Sequence, residues 1–187
     1  MFLAAVSCLS LAVSASAAGT TTRKATDFKD YDRTAWYAEA VSAAVDNGLL
    51  YGKSATVIDP NGDMTRAEMA AIINRSFGCY KAADISQYKD VSKSKWYYKD
   101  VAMAVQMGTY NGRSASSMAP DAPISRQEAM TVVARALELD YDAYAKTDLS
   151  AFSDRSEISN WALPYVRAMI GADYIHGRGK ILAPLDN

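Results

Sequence analysis

The sequence predicts an all-α domain built from a repeated helix-loop-helix unit. Three observations predict it. Long stretches recur at a fixed offset, two of them open with complete helix-start signals, and glycine and proline return at the same places between the helices.

The clearest stretch is 64–73, MTRAEMAAII, matched 60 residues later at 124–133 by ISRQEAMTVV. Thr65 with Glu68, and Ser125 with Glu128, form the spacing of a capping box. The hydroxyl accepts the amide of the third helical residue, and the carboxylate returns to the amide of the cap. Met64 and Ile124 stand where a hydrophobic staple belongs. Helices are predicted over 66–77 and 126–139. Arg66 and Arg126 occupy the first helical position, where the positive end of the helix dipole disfavours a cation by roughly 0.3–1 kcal/mol. Two readings follow. Each arginine, beside free N-terminal amides, receives a carboxylate or phosphate, or each is structural and is paired to a nearby acid or solvated.

The elements between these helices follow in order. Phe28-x-Asp30, Tyr88-x-Asp90 and Phe152-x-Asp154 open three blocks. Each opening leads into a tryptophan-led amphipathic helix, over 36–47, 96–107 and 161–172. In the first, apolar residues recur at 41, 44, 45 and 49, which is helical spacing. Gly48 and Gly108 follow where a left-handed cap is wanted, and Asp173 takes that place in the third block. A loop then carries Gly52, Gly112 and Gly177, and Pro60, Pro120 and Pro184. The third block holds one extra residue before Trp161. It is expected to be incomplete, because its capped helix would begin after Asn187. The chain thus divides into 28–78, 88–139 and 152–187, joined by polar linkers. The linker at 140–151 has room for a short helical turn.

At the other end, 1–18 is uncharged, apolar and closed by Ala15-Ser16-Ala17-Ala18, which reads as an export signal without its basic leader. Residues 19–27 read as a flexible lead-in. Once the signal is removed Cys79 is the lone cysteine, so the core must hold without an intrachain disulfide. About 170 residues suffice for that. Net charge is −1, which argues against a nucleic-acid partner. Catalysis is poorly supported by one histidine, one mature cysteine and no nucleophile or zinc motif. Asp59-Pro60-Asn61-Gly62-Asp63 lacks the Gly and Glu spacing of a calcium loop and reads as a turn, so no metal or cofactor is expected.

Taken together, the aromatic-x-Asp opening, the tryptophan-led helix, the glycine- and proline-containing loop, and the motif written MTRAE at 64–68 and ISRQE at 124–128 resemble the S-layer homology (SLH) repeat of bacterial cell-surface proteins. The first two blocks match throughout and the third matches through its first helix and loop. The resemblance implies a pseudo-threefold, three-pronged arrangement. It also implies an exported cell-wall or S-layer location, and non-covalent anchoring to a secondary cell-wall polymer linked to peptidoglycan, with pyruvylated sugars as the anionic feature. It further implies that Arg66 and Arg126 meet the carboxylate, that Trp36, Trp96 and Trp161 stack on sugar, and that Gly52, Gly112 and Gly177 let backbone approach the glycan. The plainer readings are that the tryptophans are core anchors, which is preferred here, that the glycines serve turn geometry, and that Asp30, Asp90 and Asp154 fix the entry turn. The open third block also suits a structural or assembly module, completed by self-association or by a fused cargo domain.

Overall fold

The computed structural model describes residues 23–187, so the export signal expected at 1–18 lies outside the described residues. Among them are five α-helices, α1 (Ala38–Asp46), α2 (Arg66–Phe77), α3 (Tyr98–Gln106), α4 (Arg126–Ala136) and α5 (Leu163–Gly171), and two 3-10 turns, Ala25–Asp27 and Arg155–Glu157. There is no strand among them, only the isolated bridges Thr65–Pro123 and Arg178–Ile181. The protein is a helical repeat protein.

The capped helices begin where their sequence signals put them. Thr65 Oγ accepts from the Glu68 amide at 3.2 Å, and Glu68 accepts from the Thr65 amide at 2.8 Å. Ser125 and Glu128 repeat the exchange at 3.4 and 3.0 Å. The tryptophan-led helices start two residues later than the sequence suggests, because Trp36-Tyr37, Trp96-Tyr97 and Trp161-Ala162 form the preceding turn. The left-handed caps are present at Gly48 (φ 68°), Gly108 (φ 78°) and Asp173 (φ 64°). The extra residue of the third block is absorbed by the 3-10 turn Arg155–Glu157, and the linker at 140–151 contains turns but no helix.

The packing unit is staggered against the sequence repeat. α2 lies on α3, and α4 lies on α5, so the second helix of one block packs on the first helix of the next. One core joins Ala67, Ala70 and Ile73 of α2 to Val101 and Ala104 of α3, with Tyr97 and Met118 from the turn and loop. A second joins Met130 and Ala134 of α4 to Val166 and Met169 of α5, with Leu182 from the third loop. Burying each large side chain of this kind stabilises by about 2 kcal/mol. α1 packs on the 3-10 turn Ala25–Asp27 instead of a long helix.

That turn corrects one expectation. Residues 25–27 are not a loose lead-in, since Ala25 is buried with Phe28, Val45 and Ile58, and Asp27 accepts from the Lys24 amide at 2.8 Å. The polar linkers hide equivalent anchors. Ile85 and Leu149 are buried three residues before Tyr88 and Phe152, as Ala25 is before Phe28.

Candidate functional site: two grooves at the repeat junctions

The aspartate of each opening is a loop clamp. Asp30 accepts from the Ile58 and Asp59 amides at 3.0 and 2.7 Å, Asp90 from Met118 and Ala119 at 2.9 and 2.7 Å, and Asp154 from Leu182 and Ala183 at 2.9 and 2.6 Å. The second clamped residue is left-handed each time, with φ of 59° at Asp59, 52° at Ala119 and 49° at Ala183, immediately before the proline. These backbones are strained for residues with a Cβ, and the carboxylate's two hydrogen bonds hold them. The bonds keep all three carboxyls below the usual aspartate range; at Asp30 the Ile58 amide is the largest contributor, and at Asp90 and Asp154 the donors outweigh an opposing burial effect.

The loop glycines pack against the aromatic of the same opening. A Cβ on Gly52 would strike the Phe28 ring and the Val57 carbonyl, on Gly112 the Tyr88 ring and the Ser114 carbonyl, and on Gly177 the Phe152 ring and the Ile181 carbonyl. Opening, clamp and glycine therefore form one device that sets the loop's path.

The arginines of the capped helices are built into the junctions. Arg66 is buried, and its guanidinium donates to the Met118 carbonyl (3.0 Å), the Asn111 carbonyl (3.1 Å) and Glu128 (2.8 Å). Its backbone amide and that of Ala67 donate to the Ala122 and Pro120 carbonyls. Arg126 repeats the scheme. Its Nε reaches the Leu182 carbonyl at 2.9 Å, while the amides of Arg126 and Gln127 donate to Asp186 and Pro184. The free N-terminal amides expected from the sequence are thus already bonded to the next loop. For Arg66 the mildly unfavourable helix position is outweighed by a paired carboxylate and two carbonyls.

The tryptophans depart from the preferred core reading. Trp36, Trp96 and Trp161 are 91%, 60% and 51% exposed. The following residue is the anchor instead, and Tyr37, Tyr97 and Ala162 are buried. Tyr97 donates to Asp121 at 2.8 Å, and burial with that carboxylate pushes its phenol up to about 12.

Two grooves, of about 490 and 570 Å³, lie at the junctions. The first is lined by Gly52, Lys53, Glu68, Arg75 and Trp96. The second is lined by the matching Gly112, Arg113, Glu128, Arg135 and Trp161, together with Arg66. Each takes its floor from one block and its tryptophan from the next. Lys53 meets both Glu68 oxygens at 2.7 Å. Arg113 meets Glu128 bidentately at 3.1 and 3.0 Å. Burial pushes both glutamates up, but their basic and amide partners outweigh it, so both carboxyls sit below the usual range. Of the residues proposed from sequence, the second groove gathers Arg66, Gly112 and Trp161, and the first gathers Gly52 and Trp96. Trp36, Arg126 and Gly177 lie outside both. Lys53, Arg113, Arg75 and Arg135 were missed, although their recurrence 60 residues apart marked them.

The comparisons with known proteins agree with this architecture. The S-layer homology domain family matches residues 27–70 and 87–130. The chain is 32% identical to a surface-layer 125 kDa protein of Lysinibacillus sphaericus over 82% of its own length and 13% of that protein. It is 28% identical to an S-layer protein of Bacillus thuringiensis subsp. finitimus over 66% of the chain and 14% of the relative. It is also 25% identical to an endoglucanase of Bacillus sp. (strain KSM-635), over 80% of the chain and 16% of that enzyme. The chain therefore spans less than a fifth of each of these relatives. Through its two matched segments the chain belongs to the S-layer homology family, whose domains bind cell-wall polymers and anchor exported proteins at the cell surface.

Proposed function

We propose that the chain is a non-catalytic anchor that holds an anionic, pyruvylated secondary cell-wall polysaccharide in its junction grooves. The observation that carries the reading is the pairing, twice over, of a half-exposed tryptophan with a groove lined by basic side chains, Lys53 and Arg75 in the first and Arg66, Arg113 and Arg135 in the second. An exposed indole offers the flat apolar face that a sugar ring stacks on, and arginine suits a carboxylate. Among the residues named from sequence, Arg66, Gly112 and Trp161 act as one constellation. Gly52 and Trp96 act as a second, while Trp36, Arg126 and Gly177 would serve the outer ends of the repeat.

Co-sedimentation tests this. The purified chain should pellet with wall sacculi that carry pyruvylated polymer and stay in the supernatant with sacculi stripped of it. Equal retention on both would sink the reading. A second reading is an assembly module completed by another chain or a fused domain. The absence of a long-helix partner for α1 among the described residues favours it. Light scattering separates the two, since a glycan-indifferent obligate oligomer belongs to the second.

A further inference from the structure

The two grooves are the same construction with different electrostatics. The first sets two cations, Lys53 and Arg75, against three carboxylates, Asp59, Asp63 and Glu68. The second sets three cations, Arg66, Arg113 and Arg135, against the single carboxylate of Glu128. The local balance therefore changes sign between them. The remaining first-groove lining is richer in aliphatic side chains, among them Leu50, Ile58 and Met64.

The matched helix arginines differ in availability. Arg75 lies 4.1 Å over the Tyr51 ring and donates to the Leu49 carbonyl at 2.9 Å, so its guanidinium is committed within the groove wall. Arg135 has no hydrogen-bond acceptor among the described residues. Its guanidinium rests 4.7 Å over Tyr165, which is not part of the groove lining, while Arg135 itself lines the groove. The position equivalent to Tyr51 is Asn111, which has no ring to cover it.

Building on the anchoring reading above, we propose that the grooves divide the ligand. The second groove, through Arg135 beside Trp161, takes the carboxylate-bearing sugar. The first, through Trp96 and its aliphatic wall, takes an uncharged sugar. Arg135 and Tyr51 are the residues that set the difference. Arg135 supplies an uncommitted planar donor to a carboxylate, and Tyr51 withholds the equivalent donor from the first groove.

The tryptophans provide separate reporters. In the full chain, Trp36→Phe with Trp96→Phe leaves Trp161 as the sole tryptophan, and Trp36→Phe with Trp161→Phe leaves Trp96, each read by tryptophan-selective excitation. Each is titrated with a hexose glycoside carrying a pyruvate ketal and with the methyl ester of that ketal. Trp161 should respond to the acid at concentrations at least tenfold lower than to the ester, and Arg135→Gln should remove that preference. Trp96 should respond to both alike, and Tyr51→Asn should give it a preference of about fivefold for the acid. Equal acid preference at Trp96 and Trp161, or an unchanged preference in Arg135→Gln, would overturn the division and leave the anchoring reading standing. Silence of both reporters toward acid and ester would overturn both.

Discussion

Arg66 Nη1 and Glu128 Oε1 close a 2.8 Å ion pair between the first turns of α2 and α4, with side chains 6% and 13% exposed. The pair joins two sequence motifs 60 residues apart and fixes one capped helix against the other. The Ile124 amide donates to the Met64 carbonyl at 2.9 Å beside it, so the caps are held by backbone as well as by charge.

Removing the carboxylate leaves a buried guanidinium short of its charged partner. Glu128→Ala should therefore cost about 3 kcal/mol of stability. Glu68→Ala removes the matching capping carboxylate, whose cationic partner Lys53 is more exposed, and should cost about 1 kcal/mol. Urea unfolding of the two variants measures the difference, and equal costs would show that the buried pair adds nothing.

Acid should loosen the loops. Asp30, Asp90 and Asp154 have folded-state pKa values below the unfolded value. Their contribution is complete above the unfolded value of about 3.9 and is lost as pH falls through the folded-state value. Melting temperature followed from about pH 5 to about pH 2 should fall. Asp90→Asn should lower stability at neutral pH and flatten that slope, and an unchanged slope would count against the clamp.

Gly112→Ala places a methyl group against the Tyr88 ring and two carbonyls that cannot retreat without opening the loop. A loss of about 1–3 kcal/mol is expected, whereas Gly108→Ala meets no neighbour and suffers only the cost of its positive φ. Thermal unfolding of both variants separates crowding from backbone preference.

Trp161→Ala should leave the melting temperature nearly unchanged, because half of the side chain is already in water. Retention on polymer-bearing sacculi should fall at least tenfold. A large drop in melting temperature would return the tryptophan to a structural role.

Much of the fold was legible because its signals are local. Capping boxes, left-handed caps and helical spacing act within a few residues, and they located all five helices to within three residues at either end. The junctions were not legible. Arg66 looked like a misfit because its partners, Met118, Asn111 and Glu128, are 45 to 62 residues away. The tryptophans misled for a related reason. A large aromatic at a helix start usually packs, but here the backbone turn directs Tyr97 inward and leaves Trp96 outside. Lys53 and Arg113 look like ordinary loop charges until the fold brings Glu68 and Glu128 beside them.

The stagger between sequence repeat and packing unit sets a rule for valency. A groove needs the floor of one block and the tryptophan of the next, so on the proposed function binding sites would be counted by junctions. A lone block would offer neither a complete site nor a closed core. Two adjacent junctions in one chain would then place their sites at a spacing set by the fold. If the proposed grooves hold the polymer, one with several sugars in reach would meet the second site at high effective concentration, and weak single contacts would add to a durable hold.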